Sequence, residues 1–462
     1  MSIKAETGRA RVQHRWTLVL LLAIVALGLL WGGWKWSEVR RYRRAISEIE
    51  EDIEAGRNAL AARNLVALLA WNPSSDQAAY LLGVCEKARG RSEAASEAWA
   101  RVPPDSSFAP RAIQGRMELE IERGRLADAE RLIKDAMLDP RGDASGLGLL
   151  LGPVYCLQGR SEEAERFIQA RWNHLAGTGQ GASEAAINLV RLHIEQQRTS
   201  TPVEEVRSLL DQAAQSAPKD ERIWLAKANS AIRAGSYDEA ARWLDACLRG
   251  RPDDVPVWRA RLNWAMATGR VEEVREAMEH LPAAESTPAQ VQKLAAWFAA
   301  QHGDAAAEQR ALERLITADP ADFIALDRLA ELAVKDGQPD RADELRRKKI
   351  EIDRLRARYL KLHERYQPRR DAAEMARLAE QLGRRFEARA FLTVAVAVDP
   401  ERTDLGNDLT RLNQQTEIND EPGRTLAGLL APELDAQVGS SLSPTTPPMV
   451  NPHQTFSRGK PD

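Results

Sequence analysis

Glycine recurs through this chain at a nearly fixed interval, each time between two helical patterns. The positions are Gly56, Gly90, Gly124 and Gly159, then Gly235, Gly269, Gly303, Gly337 and Gly383, separated by 34, 34, 35, 76, 34, 34, 34 and 46 residues. The 76-residue gap is two periods plus eight, room for one copy without the glycine, and the last is one period plus twelve. Each glycine keeps similar company. Five residues later stands Ala61, Ala95, Ala129, Ala164, Ala240, Ala342 or Ala388, with Val274 and Glu308 as departures; seventeen later stands Pro73, Pro252, Pro320 or Pro400. Glycine lets the chain reverse, alanine lets two helices approach, and proline ends the second helix where no amide is needed. The spacing predicts repeated pairs of antiparallel helices, and composition rich in Ala, Leu, Arg and Glu favours helix throughout.

Trp224 and Trp258, eleven residues before their glycines, are themselves 34 apart. With Ala228, Gly235, Tyr237, Ala240, Leu244, Cys247 and Pro252, the copy from Trp224 to Asp254 resembles the tetratricopeptide repeat, a 34-residue unit with an early Trp, a turn glycine, small residues and a closing proline. The resemblance covers residues 45–400 and implies an all-α fold, a right-handed α-solenoid of about ten helix-turn-helix repeats. A glycine-rich stretch at 175–183 suggests two blocks, 45–180 and 181–400. In the copy that lacks its glycine, Thr201 and Pro202 are expected to cap and open a second helix. The second block carries a prolonged basic helix at 345–366, and from Leu345 to Arg370 eleven Lys or Arg face three acids. Residues 401–436 are expected to hold a capping helix, from about Thr403 to Gln415, and a tail. Residues 437–462 have too few apolar side chains to pack.

A transmembrane helix is predicted ahead of the repeats. After a basic tail (1–15), residues 16–34 contain no charge and, at the helical rise, span about 28 Å, close to a bilayer's hydrocarbon thickness. Trp16, Trp31, Trp34 and Trp36 flank it as interfacial aromatics do. Both ends are basic, so charge does not orient it; the short leading tail favours the cytoplasm, which sends the array across. The expected location is therefore a bacterial inner membrane, single-pass, with a periplasmic array.

Chemistry leaves few traces. There is no HExxH, no GxSxG and no phosphate loop, "GLGLLLG" lacks the spacing of a nucleotide fingerprint, and no two histidines are placed to share a metal ion on one helix. No enzyme activity, cofactor or metal is expected. Cys85, Cys156 and Cys247 are far apart and read as small buried residues. Acid pairs such as Asp238–Glu239 and Glu272–Glu273 stand where second helices begin, which the helix dipole explains. A formal charge of −3 and the lack of periodic aromatics argue against nucleic acid.

In tetratricopeptide arrays the first helix of each unit lines a concave groove that takes peptide segments. The resemblance therefore implies a binding face made of Arg222, Asn229, Arg259, Asn263, Lys293, Trp297 and Arg328. Arg259, Asn263 and Arg328 also match positions of the family's clamp for a terminal carboxylate, but Leu294 and Ile324 stand where Asn and Lys are needed. The expected function is a membrane-anchored scaffold holding a protein or peptide partner in the groove. The alternative is a regulatory or assembly factor for a separate enzyme or β-rich domain, with the basic helix touching anionic lipid or an acidic partner.

Overall fold

The computed structural model describes residues 36–198, 202–414 and 425–431. The expected basic tail, membrane helix and terminal stretch (437–462) lie outside these residues, and no described helix is long and apolar enough to cross a membrane.

The described residues are helical hairpins, grouped in two compact units; the first holds those up to Glu120 with Leu138–Asp143, the second Ile121–Met137 and everything described from Ala144 onward. The first unit contains α1 (36–54), α2 (Asn58–Trp71), α3 (Asp76–Ala88), α4 (Ser92–Ala100) and most of α5 (Ala109–Glu122). The second begins with α6 (Leu126–Met137), α7 (Ala144–Gly148), α8 (Leu151–Leu157), α9 (Ser161–Gly177), α10 (Glu184–Arg198) and α11 (Val203–Ser216). Regular pairs follow: α12 (Glu221–Arg233) with α13 (Tyr237–Gly250), α14 (Val255–Thr268) with α15 (Val271–Glu279), and α16 (Pro288–His302) with α17 (Ala305–Ala318). Then come α18 (Phe323–Lys335) with α19 (Pro339–Arg365), α20 (Pro368–Gln381) with α21 (Arg385–Val398), and finally α22 (Thr403–Gln414), which packs on α21.

All nine spaced glycines are left-handed, with φ between 71° and 74°. At Gly235 the turn is closed by Ser236 N–H donating to the Ala231 carbonyl at 2.8 Å, and the equivalent bond recurs from Arg270 to Ala265 and from Gln338 to Ala333. This six-to-one bond satisfies carbonyls left over at the end of the first helix and fixes the reversal. Acids then open the second helix: Asp238 and Glu239 lie in the first turn of α13, Glu272 and Glu273 in that of α15. Inside α13, Ala240, Leu244 and Cys247 form one buried stripe at helical spacing.

Aromatics close gaps between hairpins. In the first unit the Trp99 ring lies against Gly83 and Gly115, where an added Cβ would come within 2.3 Å and 2.6 Å of it, and its indole N–H donates to the Tyr80 carbonyl at 3.1 Å. In the second unit, α9 touches distant helices at both ends. Glu162 accepts from Gln290 of α16 at 2.8 Å, while Asn173 accepts from Arg389 of α21 at 2.7 Å and Trp172 meets Phe386 edge-on at 5.6 Å. The 17-residue α9, about 25 Å long, thus touches both α16 and α21. His363 bonds Glu195 at 2.6 Å, and fully buried Glu387 gathers Tyr359, Arg384 and His193 at the same seam.

Two details differ from expectation. Cys156 is exposed, because it lies on the outer side of the short helix α8, whereas Cys85 and Cys247 are buried. Pro202 sits just before α11, at its cap position, and not inside the first turn; Thr201 lies outside the described residues.

Candidate partner-binding site

The first helices of three successive hairpins build one wall of a cavity of about 440 Å³ in the second unit. α12 gives Asn229; α14 gives Arg259, Asn263 and Met266, spaced four and three so that they share a face; α16 gives Gln290, Lys293 and Leu294. Their starts are firmly set. Asp220 caps α12 by accepting from Arg222 and Ile223 N–H, and a reciprocal Thr287–Gln290 capping box opens α16, with Pro288 at its first position. Opposite lie Gly159 to Glu163, the turn into α9, and the rim includes Leu281, Ser286 and Leu426.

Gly159 is needed twice over. Its φ is 74°, and a Cβ there would come within 2.7 Å of the Asn229 Cβ, whose amide donates to the Gln158 carbonyl at 2.8 Å. The polar wall is mixed in sign. Arg259 comes within 3.8 Å of Glu162, Gln290 donates to the same carboxylate, and Lys293 pairs with Asp322, the cap of α18, at 2.8 Å. Burial pushes the Glu163 carboxyl up, but a bond from Arg160 and the charges of Arg160 and Arg259 bring it below its ordinary value. The floor is apolar: Leu262, Met266 and Leu294.

Four of the seven expected groove residues, Asn229, Arg259, Asn263 and Lys293, line this cavity. The other three stand elsewhere. Arg222 is 5% exposed and holds Glu130 at 2.8 Å and Asp254 at 2.7 Å. Glu130 is the centre of a buried junction: burial pushes its carboxyl up, yet Arg160, Arg222 and Lys134 hold it down at about 2. Trp297 packs edge-on against Phe298 at 5.1 Å, and Arg328 is forked onto Glu308, with Glu331 alongside. Of the clamp-like set, Arg259 and Asn263 are on the cavity, Leu294 is buried at its floor, and Ile324 is 71% exposed. Sequence reasoning missed Arg160, Glu162, Gln290 and Leu426. Gln290 left the clearest local signal, the Thr-x-x-Gln of a capping box.

Residues 203–263, which contain α11, α12, α13 and most of α14, match the family model described as Tetratricopeptide repeat. That segment is tetratricopeptide repeat. Among curated proteins none matches its sequence significantly. Solved structures similar to this chain include the APC/C hetero-tetramer Cut9–Hcn1 (12% identity, 85% of this chain and 93% of that one, TM-score 0.30). Yeast Tom70 (11% identity, 86% and 99%, TM-score 0.24) and the P58(IPK) TPR domain (15% identity, 81% and 99%, TM-score 0.22) are others. Overlays this loose add nothing to the assignment, which rests on the family model and on the glycine-turned hairpins.

Two of the three cysteines are held as thiols by packing. Burial pushes the Cys85 thiol up to about 11 and the Cys247 thiol up to about 12, far from thiolate reactivity. Among the described residues, no group of three or more His, Cys, Asp and Glu is placed to hold a metal ion.

Proposed function

We propose that this protein is a scaffold that holds a protein or peptide partner at a bacterial inner membrane, as a binding protein and not as an enzyme. The reading rests above all on one observation: Asn229, Arg259, Asn263 and Lys293, from three successive hairpins, converge on a single cavity with an apolar floor. Amide and guanidinium donors over an apolar base suit a polypeptide segment, whose carbonyls and carboxylates take the donors while its side chains take the floor. The test is affinity capture from detergent-solubilised membranes with the wild-type chain and with Arg259→Ala/Asn263→Ala. Captured species should be lost from the variant at unchanged helicity; an unchanged capture profile contradicts the reading.

Anchoring would come from residues 16–34, in a right-handed solenoid whose array faces the periplasm. Protease added to intact spheroplasts should then digest the array, and full protection there would place it in the cytoplasm. A second reading, an assembly factor acting through α19, is supported by Arg347, Arg354 and Lys361, exposed on that helix at seven-residue spacing. Capture would then depend on those three residues and not on Arg259 and Asn263.

A further inference from the structure

Helix α15 is short. It has 9 residues where α13 and α17 have 14 each, because "HLPAAEST" replaces the last turn and a half, with Pro282 removing an amide. The chain after Glu279 bends at His280 and Leu281, is extended at Pro282, and makes a single 3-10 turn before α16. The place of the missing helix is filled from far along the sequence. Thr425 pairs antiparallel with Pro282, Leu426 N–H donates to the Leu281 carbonyl at 2.8 Å, and Thr425 caps the one-turn helix at 426–431 by accepting from Gly428 N–H at 3.2 Å. Leu426 and Leu430, four apart on that turn, are each 1% exposed and join the main core, while Leu426 also walls the cavity that Arg259 and Lys293 line.

We propose that this gap is a docking seat for a partner segment, and that residues 425–431 are its built-in occupant, exchanged for the partner on binding. The partner is a polypeptide with a Ser or Thr cap followed by one helical turn bearing leucines four residues apart. The seated chain shows the fit: an extended cap residue paired with Pro282, the first helical amide on the Leu281 carbonyl, and two leucine side chains in the core. Its described residues are tied in by one main-chain pairing with Leu281 and Pro282 and by two leucines, whereas every regular hairpin around it is held along two full helices. Such a segment opens locally at lower cost than the hairpins do. The inference rests on the reading that this face binds protein, and it adds what the bound segment looks like and what competes with it.

The test uses the full chain and its Leu426→Asp/Leu430→Asp variant, with a labelled peptide of residues 420–434 as probe. Anisotropy should report binding at least about tenfold tighter to the variant than to the parent, because the tethered copy no longer competes. An unlabelled peptide of unrelated sequence that keeps only the Thr-Leu-x-x-x-Leu pattern should displace the probe, and the same peptide with both leucines changed to Asp should not. Equal binding to both chains, or to neither, overturns the proposal. If the double variant loses helicity, Leu426→Ala takes its place and the same order of affinities is required. Concentration-dependent dimerisation of the parent that Leu426→Asp/Leu430→Asp abolishes would assign the seat to a second copy and overturn it too. Failure of the peptide assay while Arg259→Ala/Asn263→Ala still loses its captured species would reject the exchange alone; the converse would reject the groove alone.

Discussion

The hairpins α12–α13 and α14–α15 begin in the same way. Trp224 donates its indole N–H to the Pro218 carbonyl at 3.0 Å, and Trp258, one repeat later, donates to Pro252 at 2.6 Å. Both turn at a left-handed glycine, and both then bury the side chains five and nine residues on, Ala240 and Leu244 in one, Val274 and Met278 in the other, each at 0% exposure. The next packing position, twelve residues past the glycine, is Cys247 on a helix in the first hairpin and Leu281 in the bend past the helix end in the second, at 1% and 3% exposure. The repeat thus keeps its buried stripe when its last turn is lost. What it gives up is main-chain bonding, and the Leu281 carbonyl so released is the one that takes Leu426. Packing positions define the repeat, and the helix that carries them is dispensable at its end. His280 stacks flat on Trp258 at 3.9 Å and covers the point where α15 stops.

The comparison breaks most visibly if side chains at the two ends are removed. Leu244→Ala should cost about 3 kcal/mol, the usual range for a fully buried leucine, and the same whether or not Leu426 and Leu430 are intact. Leu281→Ala should cost a similar amount in the parent but only about 1 kcal/mol in the Leu426→Asp/Leu430→Asp background, since its cover is already gone. The coupling, about 2 kcal/mol for Leu281 and below about 0.5 kcal/mol for Leu244, is read from native-state hydrogen exchange of the α13 and α15 amides. Additive costs at Leu281 would mean that residues 425–431 lie over the gap without supporting it.

Features written in local spacing were legible in the sequence, and features made by distant contact were not. A glycine that must be left-handed, an alanine five residues later and acids at a helix start are each fixed by their own neighbours, so the hairpins could be placed from residue type alone. The cavity was half legible. Asn229, Arg259, Asn263 and Lys293 follow from helix phase, but Arg222 follows the same phase and is drawn inward by Glu130, 92 residues earlier in the chain. No periodicity encodes that pairing. The seat at 425–431 left two faint marks: Pro282 thirteen residues after Gly269, where other copies wait seventeen, and Leu426, Leu429 and Leu430 in an otherwise polar tail. Neither mark says that the two meet, because contacts between residues 143 and 145 apart are decided by the packing of the whole unit.

The smaller test concerns the part the two hairpins share. Gly235→Ala and Gly269→Ala should each cost about 1 kcal/mol, because an L residue in the left-handed region is strained while alanine stiffens the unfolded chain in return. The two costs should match, since nothing lies within 4 Å of a Cβ at Gly235 and the nearest atom at Gly269 is the Gln301 Oε1 at 4.0 Å. Gly159→Ala has the same φ but would drive a Cβ to within 2.7 Å of Asn229, so it should cost distinctly more and disturb the cavity as well. Urea titration of the three variants gives the order. A larger cost at Gly269 than at Gly235 would show that the shortened hairpin depends on its turn more than the complete one does, and that its buried stripe alone does not hold it.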